Sequence, residues 1–137
     1  MGKALGIDYG AKRTGISITD SMRIIASGLT TISTHLLDGF IADIVLKDKI
    51  DCFVIGDPIN LDGSITDSTS HVNYFIKRLQ KRYPNIPIHR IDERFTSKMA
   101  KQSILASGIG KKKRKNKALV DKVSATIILQ SFIDSNS

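Results

Sequence analysis

The chain has 137 residues, 41% of them hydrophobic and 25% charged, which fits a folded globular protein and excludes wholesale disorder or a fibrous repeat. Its length suits one domain with its own core, so residues 1–137 are expected to form a single domain, and the single cysteine, Cys52, excludes an internal disulfide or a cysteine-rich metal site. Lys and Arg outnumber the acids 21 to 13, and the excess lies in the second half: residues 61–137 carry 15 basic residues against 6 acids, residues 1–60 carry 6 against 7.

No apolar run approaches the roughly 18 residues that cross a membrane, and Asp8 interrupts the first apolar stretch before it becomes a secretory signal. A cytoplasmic protein with no membrane partner is expected. In chain order, Lys3–Asp8 and residues 14–19 are short apolar or alternating runs about a Gly10-containing turn, which predicts a hairpin. A third strand is expected over residues 24–32. Residues 35–49 place apolar side chains at 36, 37, 40, 41, 44 and 45, the spacing of an amphipathic helix. Residues 51–56 (DCFVIG) read as a buried strand, broken by Gly56, Pro58 and Gly63. A helix follows over residues 66–83, with Val72, Phe75, Ile76 and Leu79 on one face and Lys77, Arg78, Lys81 and Arg82 on the other, stopped by Pro84 and Pro87. Residues 86–92 form a fifth strand, Thr96 caps a helix running to residue 107, and residues 119–134 form the last helix. The expected fold is α/β: a mixed five-stranded sheet, three antiparallel strands first, with helices on both faces.

Twelve of the thirteen acids are Asp, and the single Glu is Glu93. Three acids sit where packing alone explains them poorly. Asp8 ends an apolar strand, where an ionised carboxylate loses hydration unless it meets a cation or several donors. In the pair Asp92-Glu93 neighbouring strand side chains point to opposite faces, so at most one of them looks into a given site. Asp121 shares a helical stripe with Ser124, Ala125, Ile128 and Phe132, and the small residues permit close approach to a sheet. Each has an ordinary explanation taken singly: a turn acid, a solvated strand end, an acid complementing the helix dipole. If the first and fifth strands lie near each other and the last helix crosses them, Asp8, Glu93 and Asp121 converge. Three carboxylates repel unless a hard divalent cation joins them, and oxygen ligands with open positions suit Mg²⁺ or Mn²⁺. Paired ions of this kind cut phosphodiesters.

A basic protein with an acidic metal pocket is the footprint of an enzyme acting on a polyanion. The run KKKRKNK (residues 111–117), with Lys111, Lys112, Lys113, Arg114 and Lys115 at its heart, repels itself unless phosphates neutralise it. Lys12, Arg13 and Arg94 flank the proposed acids, and Arg presents a donor fork suited to phosphate. Aromatics are only 6% with no Trp, so contact with the nucleic-acid backbone is expected over base stacking. His35, His71 and His89 show no metal spacing, and no nucleophile motif surrounds any Ser.

Four motifs, GIDYGAKRTG (6–15), GDPINLDGS (56–64), DERFTS (92–97) and VDKVSATIILQ (120–130), resemble the YqgF family, RuvC-like members of the RNase H-like superfamily. The similarity covers essentially the whole chain, with the motifs in order. It implies an RNase H-like fold and a nuclease for precursor 16S rRNA, or a Holliday junction resolvase homologue. It also implies that Asp8, Glu93 and Asp121 are the metal-binding catalytic acids and that residues 111–117 are a basic loop preceding the last helix, disordered without nucleic acid. Family members usually carry an apolar residue where this chain has Asp57, and no function is carried onto it.

The expected partner is therefore nucleic acid: RNA is favoured, with the ribosomal small-subunit precursor its source, and branched DNA is the alternative. A monomer suits RNA trimming and a homodimer suits a two-fold junction. Two other functions compete. One is a non-catalytic ribosome-assembly factor that binds RNA without turnover. The other is an ATPase using Asp8, Tyr9 and Gly10 as a phosphate loop, against which stands the lack of a second domain to clamp nucleotide.

Overall fold

The computed structural model describes residues 2–57, 67–92 and 117–135. Five strands form one sheet: β1 (Lys3–Asp8), β2 (Arg13–Thr19), β3 (Ala26–Ser33), β4 (Ile50–Asp57) and β5 (Ile88–Asp92). Three α-helices accompany them among the described residues: α1 (Leu37–Lys47), reached through a 3-10 turn at Thr34–Leu36, α2 (Asp67–Arg82) and α3 (Lys117–Ser135). The spatial order is β3-β2-β1-β4-β5; β2 is antiparallel to β1 and β3, and β4 and β5 run parallel to β1. The sheet is mixed as expected, and the carboxyl ends of β1, β4 and β5 share one edge. The first and fifth strands are not neighbours: β4 lies between them, which at about 4.8 Å per strand separates their axes by roughly 10 Å. The helix expected from Thr96 to residue 107 lies outside the described residues.

Strand alternation divides the core in two. Leu5 and Ile7 of β1, Ile16 of β2 and Phe53 and Ile55 of β4 face α1 and α2, where Leu37, Ile41, Val72, Phe75, Ile76 and Leu79 complete one buried cluster. The other face carries smaller residues. Ala4 of β1, Cys52 and Val54 of β4 and Ala26 of β3 meet Ile128, Leu129 and Phe132 of α3. Burial pushes the Cys52 thiol above its usual value, in keeping with a packing role.

Small side chains let α3 lie close against the sheet. Ser17 donates to the Ala125 carbonyl at 2.7 Å, and a methyl built on Gly6 would run into Ser17 Oγ and come within 2.9 Å of Leu129 Cβ. Lys122 and Thr126 lie over Gly28 of β3, and the Phe132 ring packs at 4.7 Å from His89 of β5. The helix therefore crosses the sheet from β3 to β5.

Two boundaries move from the sequence expectation for identifiable reasons. The third strand begins at Ala26 and not at residue 24, because the Asp20 carboxylate accepts the N–H groups of Met22, Ile24 and Ile25 and folds them into a turn. Arg23 in that turn has φ 53°, the left-handed region. The fifth strand begins at Ile88 and not at residue 86, since the Ile86 N–H is spent on the Tyr83 carbonyl and Pro87 has none to give.

Candidate active site

Asp8 is the last residue of the central strand and is half-buried. Alternation from Ala4 and Gly6 puts it on the face that α3 crosses. Across β2 it is paired with Gly15, and one step past the Ile7–Ile55 pair Gly56 of β4 comes alongside. At the directly paired positions the carboxylate thus has a glycine on each flank.

The turn that follows Asp8 is fastened by a ring of hydroxyls. Thr34 Oγ1 donates to the Gly10 carbonyl at 2.6 Å, which commits its single proton. Thr14 Oγ1, 2.9 Å away, is then the donor to Thr34, and it accepts the Gly10 N–H at 3.5 Å. The Thr34 N–H also reaches the Lys12 carbonyl at 3.0 Å. A Cβ at Gly10 would collide with the Arg13 carbonyl, so only glycine fits there. These bonds fix exposed Lys12 and Arg13 at the β1–β2 corner beside Asp8. Sequence reasoning missed the ring because isolated threonines twenty positions apart carry no pattern.

Tyr9 is held on the opposite face. Its ring stacks on Phe75 of α2 at 4.7 Å, while Arg78 of α2 makes two bonds to Asp38 of α1, at 3.1 and 3.2 Å. Asp38 first, and the Tyr9 hydroxyl with it, raise the Arg78 guanidinium above its ordinary value. Both helices are thereby locked to the residue after Asp8.

Asp57 closes β4 on the face of Phe53 and Ile55, away from Asp8, and bonds Arg90 of β5 at 2.7 Å. The extra acid in the second motif is occupied by this pair and stands outside the Asp8 pocket. Sequence patterning gave no sign of a partner 33 residues on.

Asp121 lies in the first turns of α3, one turn before Ala125. Ala125 in turn rests on Gly6, two residues before Asp8. Glu93 and Arg94 follow Asp92, the last residue of β5, and lie outside the described residues, as do Lys111, Lys112, Lys113, Arg114 and Lys115. Among the described residues no three His, Cys, Asp or Glu side chains gather to hold a metal, and none of His35, His71 and His89 belongs to such a group.

Among the described residues no helix is long and apolar enough to cross a membrane. A family model described as "RuvX: Holliday junction resolvase" matches residues 2–135. A Flavobacterium johnsoniae protein named "Putative pre-16S rRNA nuclease" is 50% identical over 135 residues, 98% of either chain. A Porphyromonas gingivalis protein of the same name is 49% identical over 98% of each chain. Among solved structures, T. thermophilus RuvC in complex with a Holliday junction substrate superposes with a TM-score of 0.62 at 12% identity, covering 99% of this chain and 96% of that one. The Fowlpox virus resolvase with its junction DNA gives 0.58 at 14% identity, covering 98% of each. These two likenesses show the fold alone, RuvC-like, as the motifs implied.

Proposed function

The chain belongs to the RuvX family, the YqgF group that its motifs resemble, and from that premise we propose that it is a divalent-metal-dependent nuclease that hydrolyses phosphodiester bonds of precursor 16S rRNA. The observation that carries this reading is Asp8: a half-buried carboxylate at the carboxyl end of the central strand, with glycines on both flanks. An anion at that place, closing a buried apolar strand, fits an oxygen ligand for a hard cation.

Asp8, Glu93 and Asp121 would hold the metal, either Mg²⁺ or Mn²⁺, both suited to carboxylate donors. When bound it supplies charge neutralisation at the phosphate and lowers the pKa of bound water. The helix geometry supports including Asp121. Position 121 lies nine residues, two and a half turns at about 3.6 residues per turn, from Gln130, and so on the opposite flank of α3. Gln130 accepts the N–H of Ala26, which pairs with Thr19 at the far end of the sheet. That helical spacing is what supports counting Asp121 with Asp8 as a ligand.

The remaining roles fall to the basic residues. Lys12 and Arg13, fixed by the Thr14–Thr34 ring, hold the phosphate that enters beside Asp8, with Arg94 contributing from the motif after β5. Residues Lys111, Lys112, Lys113, Arg114 and Lys115 bind the nucleic-acid backbone beyond it. With precursor ribosomal RNA as substrate, the protein is proposed to act in the cytoplasm, and residues 1–137 are proposed to form a single domain. A second reading, branched DNA as substrate, is favoured by the description of the matching family.

Cleavage of labelled precursor 16S rRNA beside a four-way DNA junction, with and without Mn²⁺, tests the proposal when Asp8→Asn is run in parallel. The expected result is metal-dependent cutting of RNA that Asp8→Asn abolishes while its folding and RNA affinity stay near wild type. Cutting by Asp8→Asn at the wild-type rate overturns the site. Cutting of the junction alone transfers the activity to DNA, and binding of both without cutting makes the protein an assembly factor.

A further inference from the structure

Helix α2 buries Val72, Phe75, Ile76 and Leu79, and its outward face exposes Ser70, His71, Asn73, Tyr74, Lys77, Gln80, Lys81 and Arg82. From residue 69 to residue 82 there is no acid at all. Surface helices ordinarily mix signs, because like charges one turn apart weaken a helix, and Lys77 and Lys81 are such a pair. Cations in a last turn complement the helix dipole, which accounts for Lys81 and Arg82 but not for Lys77. Arg78, the fourth cation, is committed to Asp38; Lys77, Lys81 and Arg82 make no ion pair among the described residues.

Tyr74 is 70% exposed, an aromatic ring left in water one turn before Lys77. It lines an open groove of about 610 Å³ with Lys77, Arg78, Gln80 and Lys81. Helix α2 covers the face of the sheet opposite the one that carries Asp8, and the buried residue next to Tyr74, Phe75, stacks on Tyr9 there.

We propose that the outer face of α2 is a second nucleic-acid contact, in which Lys77, Lys81 and Arg82 bind backbone phosphates and Tyr74 stacks against an unpaired base. It deepens the nuclease reading and rests on it. The occupant follows from charge: an acid-free cationic face repels a second copy of itself and attracts a polyanion, and an exposed ring among cations is how proteins hold single strands without sequence readout.

The test is binding of a labelled stem-loop RNA with an unpaired tail in metal-free buffer, over a series of salt concentrations. The triple variant Lys77→Ala, Lys81→Ala, Arg82→Ala is expected to melt as wild type and to lose about 0.7–0.9 of log–log salt slope per phosphate contact, about 2 to 3 in all. The variant Lys77→Arg, Lys81→Arg keeps the wild-type slope. Tyr74→Ala weakens binding to the tail by at least about fivefold and leaves a blunt duplex unaffected. A triple variant that binds with wild-type slope, while wild-type protein binds and cuts, overturns the α2 contact alone. Wild-type protein that shows no salt-dependent binding overturns the nuclease reading with it. A change of oligomeric state in the triple variant, seen by sedimentation, makes the face a contact between copies and also overturns the proposal.

Discussion

At the scale of single residues, one of the tightest approaches among the described residues is the one that Gly6 permits. The α3 backbone sits on it, and Ser17 Oγ fills the remaining space to reach Ala125. Gly6→Ala must push the helix away or break that buried bond, an overpacking that costs about 1–3 kcal/mol. The expected outcome is a melting temperature lower by about 4 °C or more, together with slower cleavage as the helix that carries the proposed ligand Asp121 shifts; thermal denaturation of the purified variant checks the first part. The residues legible in the sequence were those whose chemistry clashes with their neighbours. Asp8 stood out as an acid closing an apolar strand, and Ala125 as a small residue on an apolar stripe. Thr14 and Thr34 did not, since hydroxyls are ordinary in strands and turns and only the fold brings these two within 2.9 Å.

At the scale of elements, the β2–β3 turn shows how one side chain overrides propensity. Ile24 and Ile25 are strong strand formers, yet Asp20 takes their N–H groups and they end up exposed, outside the ladder. Those backbone donors, Ile25 foremost, lower the Asp20 carboxyl below its usual value. A carboxyl depressed in the folded state contributes stability above its unfolded value near 3.8, and that contribution is lost as pH falls through the folded value. Asp20→Asn is expected to lower the melting temperature at neutral pH, where the charged carboxylate contributes, and to converge on wild type toward pH 3, which a series of melts from pH 3 to 7 resolves. The other elements were readable to within two or three residues because their periods of 2 and 3.6 are clean. Strand order was not: nothing in the local pattern says that β4 inserts between β1 and β5, since that depends on which edge of the sheet each crossover reaches.

At the scale of the whole molecule, the parallel strands gather their carboxyl ends at one edge, and the proposed ligands belong to residues far apart in the chain. An ion held there stabilises the folded state and not the unfolded one. Mn²⁺ at a hundred times its dissociation constant is expected to add about 2.7 kcal/mol, read as a rise in melting temperature. Asp8→Asn is expected to lose that rise while melting as wild type without metal. A rise of equal size in both proteins places the ion elsewhere.

The face of the sheet that carries Asp8 is covered by α3, which comes after all five strands in chain order. During synthesis Ala4, Cys52 and Val54 therefore wait, uncovered, until residues 117–135 have left the ribosome. The growing chain meets its richest supply of RNA at the moment it is made. On the proposed site, a nascent chain still lacking its last helix lacks Asp121, one of the three proposed metal-holding acids, and is expected to be unable to cut the ribosome that is making it.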